Sequence, residues 1–246
     1  MLAITKSIAL QGLEGYLVSI EVDISQGMPY FEIVGLPDMS VKESRERVKT
    51  AIKNSEINFA SKRIIVNLAP ANTRKGGSNF DLPIAVGILI AMEVIKNEEI
   101  NEYLKNTIFI GELSLNGKIE RVNGILPICI EAKKLGIKRI VLPVANAEEA
   151  RVIQGIEIIP IKDIKQLKEY LNKKTTISKT MYKNIEFKTE ENYKFDFKNI
   201  KGQKAAKRAL EVVAAGGHNC LLIRKPWCWK NNVSKKFAQY IARYEQ

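Results

Sequence analysis

One histidine and three cysteines in 246 residues leave little material for metal or disulfide chemistry. Cys129, Cys220 and Cys228 have neither the even count of a disulfide framework nor a metal-ligand spacing. With His218 as the sole imidazole, a His-based zinc site is not expected. A reducing cytoplasm is the simplest setting. No apolar stretch reaches the ~20 residues that cross a bilayer, so no membrane partner is expected. The longest such stretch, around 82–92, fits a buried helix. The start, MLAITKSIALQGLEGY, lacks a basic segment ahead of a long apolar run, which argues against a signal peptide. The only tryptophans, Trp227 and Trp229, flank Cys228 near the end, and no glycine occurs after Gly217.

What the chain has in excess is positive charge, with a formal net of +12. Such a balance invites a nucleic-acid reading, but its distribution weakens it. Residues 1–170 carry 22 basic and 21 acidic side chains, whereas 171–246 carry 17 and 6. The basicity belongs to the last third.

Residues 1–170 alternate between strand and helix patterns. Strands are predicted at 3–10, 16–23, 30–34, 63–68, 108–113 and 139–142, and 156–160 lies between the last two helices. Helices are predicted at 41–54, capped by Asp38 or Ser40, then at 81–95, 124–135, 145–152 and 163–170. Asp81 is a candidate cap for the second, and Pro83 falls in its first turn, where proline is tolerated. Gly76 and Gly77 suit a tight turn. The charged cluster Asp38, Lys42, Glu43, Arg45 and Arg47 reads as a solvated helix face. A polar, lysine-rich linker occupies 172–195. A helix at 204–215 and a strand starting at 218–223 follow.

Three stretches carry a resemblance: "LQGLEGYLVSIEVDISQGMPYFEIVGLPDMSVKESRERVKTAIKNS", "NLAPANTRKGGSNFDLPIAVGIL" and "IGELSLNGKIERVNGILP". They look like the N-terminal domain of the YifB/ComM family of magnesium-chelatase-like AAA+ ATPases. "DFKNIKGQKAAKRALEVVAAGGHN" resembles the beginning of that family's ATPase module. The resemblance implies an α/β (α+β) chain. A ribosomal S5 domain 2-like, Lon-protease-like domain covers 1–171, a linker 172–195 and the start of an AAA+ module 196–223. For intact members it implies ATP and Mg²⁺ as cofactors, and DNA and a homo-oligomeric ring, commonly a hexamer, as partners. Their work is DNA processing of the branch-migration helicase type, in natural transformation. The chelatase label is a family name rather than an expected activity.

A Lon-type site joins a serine nucleophile to a lysine base. Laid over this chain, the nucleophile slot of the loop Lys75-Gly76-Gly77-Ser78-Asn79 falls on Asn79, with Ser78 one residue early. The lysine slot after Asn123-Gly124-Ile125 falls on Leu126, which cannot accept a proton. No catalytic residue is therefore assigned, and no metal ligand.

An ATP site needs G-x-x-x-x-G-K-[ST] after a buried strand, because backbone N–H groups must wrap the phosphates. Here the strand runs into RKPWCWKNN, with a side chain at every position. Back-translated and read one base later, residues 224–234 can spell Gly-Asn-Pro-Gly-Ala-Gly-Lys-Thr-Met-Leu-Ala. Each tryptophan codon, TGG, supplies a glycine in that frame. This points to one extra base near codon 223 and an out-of-frame tail at 224–246. The chain is then expected to bind no cofactor and hydrolyse no ATP, with Gly202 and Gln203 as weak adenine-side candidates. Arg45, Arg47, Arg74 and Lys75 are candidates for nucleic-acid or subunit contact. The competing reading is a stand-alone protein- or nucleic-acid-binding module. A Lon-like serine peptidase ranks below it.

Overall fold

A computed structural model describes residues 2–12, 14–59, 62–182, 202–216 and 218–221. The chain divides into two compact units, Met1–Ile185 and Glu186–Gln246. The expected phosphate-loop tail at 224–246 lies outside the described residues, as does most of the linker and the region 196–201.

The first unit begins with a long hairpin. Strand β1 (Leu2–Gln11) pairs antiparallel with β2 (Glu14–Ser25). On β2 every second residue, Val18, Ile20, Val22 and Ile24, turns into the core, the period-two pattern of a half-buried strand. Strand β3 (Tyr30–Val34), helix α1 (Met39–Asn54) and β4 (Arg63–Ala69) then form a crossover unit, with β3 and β4 parallel. The sheet order is β1-β2-β4-β3. Asp38 caps α1 by accepting a hydrogen bond from the Val41 N–H at 2.9 Å, and Ser40 donates to the same carboxylate at 2.8 Å. Between β3 and α1 the chain turns at Gly35, with φ of +95°, where a Cβ would sit on the Leu68 carbonyl oxygen.

Helix α2 (Asp81–Ala91) is buried at every position. A helix apolar all round belongs inside a core, and α2 packs on β1 and β2. Gly87 lets it approach Val22, which a Cβ would meet at 2.5 Å. It ends four residues before the sequence pattern predicts. The Val94 and Ile95 N–H groups both fold back onto the Leu89 carbonyl, and Glu93 takes a left-handed φ of 60°. Asp81 is its first residue and not its cap, since that carboxylate is engaged elsewhere.

A second, parallel sheet follows. Helix α3 (Ile100–Lys105) leads to β5 (Thr107–Phe109), then the small ribbon β6 (Glu112–Leu113) and β7 (Ile119–Glu120). Helix α4 (Ile125–Lys134) precedes β8 (Arg139–Pro143). A 3-10 turn, Val144–Asn146, and the short α5 (Ala147–Ala150) lead to β9 (Glu157–Ile161), and α6 (Ile164–Leu171) closes the unit with Asp163 as its cap. The sheet order is β5-β8-β9. The single strand predicted at 108–113 is two strands. At the break, Ile110 N–H bonds to Val141 and Gly111 N–H to the Asn79 carbonyl, 3.1 Å away. That second bond ties the second sheet to the loop before α2.

In the second unit, α7 spans Lys204–Gly216. The strand expected from 218 is not seen in residues 218–221, which are irregular. The His218 N–H instead closes back on the Val213 carbonyl. Among the described residues no helix is long and apolar enough to cross a membrane.

Candidate functional site

The loop between β4 and α2, residues 70–80, is held from three directions. Its Lys75 runs beside the turn after β3: Lys75 N–H donates to Leu36, and its carbonyl accepts from the Asp38 N–H at 2.8 Å. The Lys75 side chain is 0% exposed and donates to the Pro70 carbonyl, which ties the loop to its own start. Burial among neutral groups pushes this amine below the ordinary lysine value. Gly77 N–H donates to Ser40 Oγ at 3.0 Å, and Gly76 packs where a Cβ would lie 2.7 Å from the Asp38 carboxylate.

Arg47 and Asp81 make the third hold. The guanidinium meets the carboxylate in a two-bond fork, Nε to Oδ2 at 2.7 Å and Nη2 to Oδ1 at 3.0 Å. Asp81 is 0% exposed and also accepts from the Leu113 N–H at 3.1 Å. Arg47 further donates to Ser44 Oγ and the Ser40 carbonyl. One ion pair thus joins α1, the start of α2 and β6. The hydrogen bonds that Arg47 donates to Asp81 raise its pKa above the ordinary arginine value. A raised cation favours the folded state throughout the range below the ordinary arginine value.

These holds shape a cleft of about 270 Å³. Residues 76–79 form one wall, and Arg121, Val122 and Asn123 the other. Glu112 stands between them, and Leu10 and Ile128 supply apolar surface. The two loops that the sequence aligns with a serine–lysine site therefore do meet at one place. They do not bring a serine and a lysine together there. Ser78 Oγ donates to Glu112, Asn79 reaches the Ile8 carbonyl at 3.4 Å, and no lysine lines the cleft. Leu126, which the sequence aligns with the base, is not among the residues lining the cleft, and its N–H donates to the Glu149 carboxylate at 3.3 Å. A fluorophosphonate probe is expected to label this chain no more than its Ser78→Ala variant, as read by in-gel fluorescence. Labelling that vanishes only in the variant would establish an activated serine.

The four candidate contact cations separate. Arg47 and Lys75 are turned inward by the bonds above, so neither is free to meet a phosphate. Arg45 is exposed, next to Glu46 and the Phe31 carbonyl, and Arg74 is exposed beside Tyr16, whose hydroxyl bonds the Arg74 carbonyl. Gly202 and Gln203 stand just before α7, both exposed and both with left-handed φ, 73° and 57°. Among the described residues no cluster of His, Cys, Asp and Glu could hold a metal ion. Cys129 is buried in α4, its thiol pushed up to about 12 by desolvation, so it is no nucleophile at neutral pH. Glu112 and Asp81 are the site residues that sequence reasoning missed as partners of Ser78 and Arg47. Their placement straight after a glycine and at the first turn of an apolar helix was the available signal.

Comparison with known proteins fits this geometry. The family described as subunit ChlI of Mg-chelatase matches residues 20–146, and one described as magnesium chelatase, subunit ChlI, matches 196–246. Competence protein ComM of Haemophilus influenzae is 35% identical over 239 residues, covering 96% of this chain and 46% of that protein. YifB of Escherichia coli is 34% identical over 235 residues, covering 96% and 45%. Lon protease 2 of Bacillus subtilis is 27% identical over 171 residues, covering 62% and 30%. The mixed α/β first unit is accordingly a Lon-like domain. The chain spans less than half the length of each of these relatives.

Proposed function

The chain belongs to the YifB/ComM family of magnesium-chelatase-like proteins, and we propose that it corresponds to the N-terminal part of an ATP-driven DNA-processing motor. The observation that carries this reading is the similarity to a competence protein along 96% of the chain. In the intact motor, ATP and Mg²⁺ would be held by a phosphate loop beyond the segment that follows α7. DNA would be the substrate and a ring of identical subunits, commonly six, the working form. Gly202 and Gln203 would lie on the adenine side of that nucleotide.

In this chain the loop reads RKPWCWKNN, and codons allowed for those residues, read one base later, can spell the missing glycines. We infer that one extra base near codon 223 has displaced the phosphate loop, which leaves the chain without ATPase activity. Backbone wrapping around phosphates needs glycine where bulky side chains now stand. Purified chain is expected to release phosphate from ATP at the rate of a no-enzyme blank, with or without DNA. Sequencing the DNA across codons 218–246 is the direct check. Bases that cannot encode Gly-x-x-x-x-Gly-Lys-Thr in the shifted frame would sink the frameshift, and phosphate release above blank would sink the inactivity.

A further inference from the structure

The cleft between the two loops carries polar groups on both walls, with no serine–lysine pair in its lining. Its donors are the Asn123 amide and Arg121, whose side chain is 67% exposed and only loosely paired with Glu149 at 3.9 Å. The Glu112 carboxylate is its main acceptor, already holding the Ser78 hydroxyl. Leu10, Val122 and Ile128 offer apolar surface within reach of both. A second cleft, of about 450 Å³, adjoins the first and shares Leu10 and Gly76 with it. Gln11, Asn72 and Thr73 extend the same mixture of donors and acceptors there, beside Asp38.

This composition selects among ligands. A nucleic-acid backbone carries a charge on every phosphate. In the first cleft it would face Glu112, with Glu149 close by, beside Arg121, and in the second Asp38 beside Arg74, so a carboxylate offsets the arginine in each. A polypeptide main chain offers alternating N–H donors and carbonyl acceptors, the set that Glu112, Asn123 and Arg121 complement. Its side chains can settle on the apolar surface of Leu10, Val122 and Ile128. We propose that the joined clefts bind an extended, unfolded polypeptide segment without cutting it. Binding at this site is independent of the motor reading above, because it uses only residues of the first unit and no nucleotide.

The test uses the full chain and fluorescein-labelled, reduced and carboxymethylated lactalbumin, a permanently unfolded polypeptide, followed by fluorescence anisotropy. Saturable binding with intact lactalbumin on gels is expected. Ser78→Trp, which fills the cleft, and Arg121→Glu, which inverts its exposed donor, should each weaken binding by about tenfold or more, some 1.4 kcal/mol. Melting curves identify a variant that fails to fold. The Arg121 change touches an exposed side chain and keeps the test alive if Ser78→Trp does not fold. Folded variants that bind like the parent would overturn the proposal. So would absence of polypeptide binding, cleavage of the lactalbumin, or a cleft-dependent affinity for labelled oligo-dT alone. Phosphate release above blank, by contrast, would sink the inactivity and leave this result untouched.

Discussion

The Arg47→Met chain is expected to unfold with about 3–5 kcal/mol less free energy than the parent, the cost of stranding a buried carboxylate. Asp81 is completely buried, and its two strongest bonds come from that guanidinium. Without Arg47, the carboxylate keeps one hydrogen-bond donor among the described residues, the Leu113 N–H. Methionine fills the aliphatic part of the space but offers no donor. Because the pair joins α1, α2 and β6, the loss falls on the whole unit rather than on one helix end. The Arg47→Met, Asp81→Leu double variant should recover much of the loss, since no charge is then left buried without a partner. Urea unfolding followed by circular dichroism measures both. A single variant within about 1 kcal/mol of the parent, the range of an exposed pair, would show that the fork adds little.

Gly35→Ala is the second large effect, about 2–5 kcal/mol. A left-handed φ costs a non-glycine residue ~1–2 kcal/mol, and overpacking adds ~1–3 kcal/mol. The obstacle here is the Leu68 backbone carbonyl, which cannot swing aside as a side chain would. Accommodation requires the turn to lift away from β4, which also disturbs the neighbouring 36–38 segment that pairs with Lys75. Gly12 provides the control. It has a φ of +65° but open space around its Cβ position, so alanine there should lose only the conformational part. Equal losses at the two positions would show that close packing at Gly35 contributes nothing.

How far the sequence revealed this molecule depends on how local each cause is. The alternation of Val18, Ile20, Val22 and Ile24 states its own strand, and the apolar run from Leu82 states a buried helix. The same apolarity hid the break after β5, because Ile110 and Gly111 continue the pattern while their N–H groups answer to Val141 and Asn79. Glu43 and Arg47 have the spacing of a surface ion pair on one helix turn. In fact Arg47 takes Asp81, 34 residues away, as its close partner, and Glu43 stays at 3.8 Å. Lys75 sits in a polar loop next to Arg74, a context that suggests solvent. Its burial comes from the Leu36–Asp38 turn, a neighbour no local pattern announces. The meeting of residues 76–79 with 121–123 was visible only through family resemblance, since nothing in either loop's composition refers to the other.

The main core draws on residues from Ala3 to Leu171, and β1 reaches the second core as well through Ile8. During synthesis, then, the first strand leaves the ribosome long before its last packing partner exists. At roughly 5–20 residues per second, the wait is on the order of ten to thirty seconds. Through that interval the apolar faces of β1, β2 and α2 have no finished interior to enter. A nascent chain stalled before α6 should remain a client for chaperones. One stalled after α6, and clear of the exit tunnel, should already hold a closed first unit.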